Sequence, residues 1–146
     1  VTERTVYRVA LDRLDLSAAL ALRDGSLLAL ADAGVTPPEM ARLTARAVRQ
    51  HLQGETSILV VQWRVATQRH VVVTLDAEQG GRVLAYLEEE GAWSRPQPLF
   101  RGRGGRALSY SRIHEILRSY TEPIQRARSH RADPRALAVT AGGGGR

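Results

Sequence analysis

The sequence has no cysteine, no lysine and no asparagine. Without cysteine there is neither a disulfide nor a thiolate metal site. The four histidines are scattered, with no acidic partners at helical spacing, so no metal and no cofactor is expected. Without lysine the Gly-Gly pair at 80–81 cannot belong to a phosphate-binding loop of the Gly-x-x-x-x-Gly-Lys kind. Aromatic residues make up only 5% of the chain, and its two tryptophans, Trp63 and Trp93, read as packing residues rather than stacking platforms for bases. No apolar run approaches the ~20 residues of a membrane-spanning helix. Acidic Glu3 and Asp12 near the start do not fit a signal peptide. The expectation is a cytoplasmic protein with no membrane partner and no small-molecule substrate.

What is present is an ordinary globular composition, 43% apolar and 25% charged over 146 residues, which suits one domain with a real core. That domain is expected over residues 1–141, followed by a disordered glycine-rich tail at 142–146. The charge is uneven. All 21 basic residues are arginine, and eleven of them fall after residue 94 beside only three acids, Glu115, Glu122 and Asp133. The residues before that carry a slight acidic excess. A one-sided field of this kind attracts polyanions, nucleic acid above all.

Pattern and capping signals predict mainly helices with a small hairpin. Residues 4–11 alternate weakly and read as an edge strand or extended lead-in. Leucine and alanine at helical spacing predict a helix over 14–33, ended by Gly34 and open to a kink at Gly25. "TPPE" at 36–39 is a helix start in which Thr36 and Glu39 cap each other, and the helix is expected to run to about Leu52. On it Arg42, Arg46 and Arg49 would form one stripe. Residues 57–75 read as a hairpin turning near 66–68, flanked by Arg64 and Arg69. "DAEQ" at 76–79 opens a helix to Glu90, with Gly91 as its stop. A loop rich in proline, glycine and arginine follows, including "RGRGGR" at 101–106, which can be an RGG-like element for RNA or single strands or a plain flexible linker. Ser109 then caps a helix to Tyr120, with Tyr110, Ile113, Ile116, Leu117 and Tyr120 inward, and Pro123 breaks it. A last short helix is expected from "DPR" at 133–135 to about Gly142.

In this order the elements resemble the catalytic domain of the tyrosine recombinases, the phage-integrase family. "RDGSLLALADAGVTPPEMARL" is similar to that family's helix, glycine and arginine segment. "ILVVQWRVATQRHVVVTL" is similar to its hairpin, and "LFRGRGGRALSYSRIHEIL" to its basic glycine loop and the helix after it. "RADPRALAVT" is similar to its second catalytic box, entered at Arg135. The separation of Thr36 from Arg135 matches the interval between the family's two arginines. The fold implied is α+β, mainly helical with a small sheet.

The departures bear on function. The first arginine that would clamp the scissile phosphate is Thr36, the histidine of the second box is Ala132, and the hairpin that should carry a lysine holds only arginine. His130 lies five places before Arg135 instead of three. The family's later histidine and nucleophilic tyrosine lie farther downstream than the remaining residues reach. Tyr7, Tyr86, Tyr110 and Tyr120 match no nucleophile position. The resemblance therefore implies a non-catalytic, nucleoid-associated domain that binds double-stranded DNA through Arg42, Arg46, Arg49, Arg64, Arg69, Arg101, Arg103, Arg106, Arg112 and Arg135. A protein-interaction or regulatory module, pairing with itself or with an intact recombinase, is the alternative. An enzyme completed in trans by a partner is a third.

Overall fold

The computed structural model describes residues 5–18, 20–51, 53–64, 67–90 and 98–132, without the side chains at 63, 64, 103, 131 and 132. The expected Gly91 stop, the helix from residue 133 and the 142–146 tail lie outside them. Among the described residues five helices surround one core, and a three-stranded antiparallel sheet of order β1-β2-β3 closes one side.

Residues 6–11, expected to be extended, are helical. In α1 (Val6–Asp12) the Thr5 hydroxyl caps the amide of Arg8, and Ala10 and Leu11 turn into the core. The valines that favour a strand are overruled by that cap and by the apolar repeat at three and four. The next helix begins later than its leucines suggest. Residues 13–18 form turns, and α2 (Ala21–Asp32) starts after Leu20, which adopts a left-handed conformation at φ 66°. Gly25 lies inside α2 as a point of close packing, since a Cβ there would meet Leu14 at 3.1 Å.

The largest correction concerns residues 36–52. The cap is as read: the Glu39 carboxylate accepts from the amide and the hydroxyl of Thr36, each at 2.8 Å. The helix it opens, α3 (Pro37–Arg42), is only six residues long. At Leu43 the chain turns extended, and its carbonyl accepts from Leu99 at 2.8 Å. Thr44 bridges Pro98, a single 3-10 turn follows over Ala45–Ala47, and β1 (Val48–Gln50) pairs with β2. Local propensity for helix loses here to backbone bonds offered by segments distant in sequence.

The hairpin is formed by β2 (Thr56–Arg64) and β3 (Thr67–Leu75), so Thr67 and Gln68, expected at the turn, already belong to β3. Ile58 and Val60 face the core, while Leu59 and Val72, paired across the strands, are exposed on the outer face. Then α4 (Ala77–Glu90) opens with a reciprocal cap, in which the Asp76 and Gln79 side chains each accept from the other's amide at 2.9 Å.

Helix α5 (Tyr110–Ala132) is capped by Ser109 and runs through Pro123 instead of breaking there. Thr121 and Ile124, on either side of the proline, are both buried, and this packing outweighs the lost backbone bond. Ile113, Ile116 and Leu117 are inward as expected, but Tyr110 is 59% exposed. The single phenylalanine, Phe100, stacks on Tyr86 at 5.3 Å between ring centres.

Candidate functional site

The sheet's outer face meets α3 and the extended segment after it in a concave surface. Two cavities make it up. One, of about 470 Å³, is lined by Thr36, Glu39, Arg42, Val61 and Gln62 among others. The other, of about 330 Å³, is lined by Glu39, Arg42, Arg46, Arg49, Leu59, Val61 and His70 among others. They share Glu39, Arg42 and Val61.

The three arginines predicted as a helical stripe thus reach one surface by another route. Arg42 comes from the last turn of α3, Arg46 from the 3-10 turn and Arg49 from β1. All three are exposed at residue level. The floor between them is the apolar outer face of β2. Among the described residues Glu39 is the only carboxylate lining the surface, and it is held by Thr36. A concavity with cationic walls and an apolar floor suits a polyanion with a phosphate backbone.

The remaining predicted arginines scatter. Arg69 pairs with Gln62, which lines the first cavity, but Arg69 itself lines neither. Arg64 occupies the last pair of the hairpin, opposite Thr67. Arg101 shares a separate cavity of about 350 Å³ with Arg23, Glu89, Glu90 and Tyr86, where carboxylates offset its charge. The "RGRGGR" segment is no linker: Arg101 bridges Ala107, Gly102 donates to the Arg106 carbonyl at 2.8 Å, and Gly104 and Gly105 supply left-handed turns. Arg106 is exposed on this loop. Arg112 sits on α5 and pairs with Glu115 at 3.1 Å. Arg135 lies outside the described residues.

His70 escaped the sequence reading. Strand alternation was the available signal, because it puts His70, not its charged neighbour Arg69, on the face of Val61 and Arg49.

Behind the site the core is tied by ion pairs. Arg8 bonds Asp32 at 2.7 Å, Glu78 at 2.8 Å and also Asp76, joining α1 to α2 and α4. Burial by itself would raise the Asp32 carboxyl, but bonds from Thr5, Gln79 and Arg8 and the Arg8 charge outweigh it and hold it low. No helix among the described residues is long and apolar enough to cross a membrane.

No protein-family model matches the sequence, and no curated protein matches it. Solved structures do. The chain is similar to the XerH site-specific recombinase bound to difH substrate in a pre-cleavage complex, with TM-score 0.54, 19% identity and coverage of 79% of this chain and 34% of that one. It is similar also to XerH bound to palindromic difH substrate in a post-cleavage complex, with TM-score 0.56, 17% identity and coverage of 80% and 34%. At this identity the likeness shows the fold, a tyrosine-recombinase fold, mainly helical with a small antiparallel sheet. This chain spans about a third of the length of the recombinase chains it matches.

Proposed function

We propose that this chain is a non-catalytic domain that binds double-stranded DNA through the concave surface of Arg42, Arg46 and Arg49. The observation that carries the reading is the meeting of these three arginines, from three separate segments, over the apolar outer face of the hairpin. The fold supports it, since the structures it resembles are recombinases bound to difH substrate.

Loss of catalysis is supported by the residues themselves. Thr36, where the family places its first arginine, is engaged as a helix cap. The hairpin offers arginine where the family offers lysine. A guanidinium with a pKa above ~12 holds a phosphate but does not give a proton to a leaving alkoxide at neutral pH. Removing one electrostatic donor of this kind costs about 10²–10³ in rate.

Phosphate contacts bring affinity and salt dependence with little sequence preference. Binding to a labelled duplex is expected to weaken along a log–log slope of about −0.9 for each phosphate neutralised, thus near −3 for the three arginines. Affinity independent of salt would refute the reading. A suicide DNA substrate, with or without an intact recombinase, is expected to trap no covalent adduct; an adduct would overturn the non-catalytic assignment.

A second reading, an interaction module pairing with itself or with an intact recombinase, is favoured by Leu16, Leu20 and Leu22. These are 65%, 58% and 38% exposed around the cavity that holds Glu89 and Glu90. Sedimentation without DNA separates the two: a stable dimer with no DNA affinity favours the module.

A further inference from the structure

The geometry points to His70 as a fourth phosphate-contacting residue of this surface, one that engages DNA as the imidazolium. The inference rests on the DNA-binding reading above. His70 is the cross-strand partner of Val61, whose side chain lies between the two cavities, and it is exposed. A neutral imidazole offers one N–H donor, while the protonated ring offers two and a positive charge, and histidine makes that change within pH 5–8.

The groups facing it are few. Among the described residues α3 supplies Glu39 and Arg42, the 3-10 turn Arg46, β1 Arg49, and β2 Leu59 and Val61. Thr36 holds Glu39, the one carboxylate among the described lining residues, through its Oε1. A phosphate bound among the arginines favours the protonated ring over the neutral one. DNA binding and proton uptake are thereby coupled.

Register places His70 apart from the arginine on β1. Arg49 is opposite Ser57 and Thr74, two strands away from β3 and four residues along from the Val61–His70 pair. Strand spacing and rise put the two Cα atoms roughly 16 Å apart, with both side chains standing out from the sheet. The two cations therefore meet different phosphates. Protonating His70 adds a contact instead of sharing one.

The test is the salt slope of duplex binding at pH 5.5 and pH 8. For the unaltered protein the slope is expected to steepen by about 0.9 at the lower pH, the release of counterions by one further phosphate contact. H70Q is expected to keep the shallower slope at both values, and H70R the steeper slope at both. R49A is expected to lose about 0.9 at both while keeping the pH difference. H51Q, whose ring bonds Ser57 at 2.8 Å, together with H114Q and H130Q, is expected to leave the pH difference intact. A pH difference that survives in H70Q, or a slope in the unaltered protein that ignores pH, overturns the assignment of His70. No duplex binding at either pH overturns the DNA-binding reading itself, and His70 with it.

Discussion

The phenol of Tyr120 donates a hydrogen bond to the buried carboxylate of Asp24, a residue 96 positions earlier in the chain. Arg23 bonds the same carboxylate at 2.9 Å. One acid on α2 therefore anchors the middle of α5, one turn before Pro123. Removing the phenol leaves a buried charge short of a donor. Y120F is expected to lose about 1–2 kcal/mol of stability, read from urea unfolding at neutral pH.

The same pair sets behaviour in alkali. Burial raises the Tyr120 pKa, and the bond to Asp24 and its charge raise it further, to about 12. An unfolded tyrosine ionises near ~10. A raised folded value means that the contribution is complete below pH ~10 and is lost as pH climbs to about 12. Unfolding midpoints should fall across that window in the unaltered protein and fall less in Y120F. Equal slopes would refute the linkage.

Arg8 predicts the acid side. Its bonds to Asp32, Asp76 and Glu78 hold α1 on the core, and the Asp32 carboxyl is held below the usual range. A depressed value gives stability that is present above the unfolded pKa, ~3.9, and is lost as pH falls through the folded one. R8A is expected to cost roughly 2 kcal/mol at pH 7 and to flatten the loss of stability below pH ~4. Denaturant titrations at several pH values measure both.

Two adjacent glycines in α4 should respond in opposite ways. A Cβ at Gly80 would lie 2.8 Å from Oγ1 and 2.9 Å from Cβ of Thr56, whereas one at Gly81 meets nothing within 4 Å. G80A is expected to destabilise by about 1–3 kcal/mol through overpacking of helix on strand. G81A is expected to stabilise by about 0.5–1 kcal/mol, because alanine loses less backbone freedom on folding. Thermal midpoints of the two variants moving the same way would contradict the close approach of α4 to β2.

Ser26 is wholly buried in α2, and its hydroxyl has no hydrogen-bond partner among the described residues. Alanine there removes an unsatisfied donor and improves helix propensity. S26A is expected to leave stability unchanged or raise it by up to about 1 kcal/mol, measured by chemical unfolding.

The proposed DNA-binding surface divides the predicted arginines by location. Arg49 lines the concave site, whereas Arg101 shares its cavity with Glu89 and Glu90. R49A is expected to make the salt slope shallower by about 0.9, and R101A to leave it nearly unchanged. The reverse order in a fluorescence-anisotropy titration would move the site to the glycine loop.

Features that depend on neighbours in sequence were legible in the chain alone. The Thr36–Glu39 and Asp76–Gln79 caps, the Ser109 start of α5 and the alternation of the hairpin are each formed by residues a few positions apart. Such bonds need no distant partner, so composition and spacing are enough to predict them. The recombinase-like order of elements was readable for the same reason. Tertiary structure decided the rest. Residues 43–50 favour a helix locally, yet Leu99 and β2 offer backbone bonds that only folding brings near, and the chain takes those. Pro123 signals a break, yet the burial of Thr121 and Ile124 on both sides of it keeps α5 whole. The candidate site follows from the same contest. Its arginines were visible as residues, but their meeting with His70 arises because the extended path after Leu43 lays Arg46 and Arg49 beside the hairpin. Long-range pairing outweighed a helix propensity worth only tenths of a kcal/mol per residue.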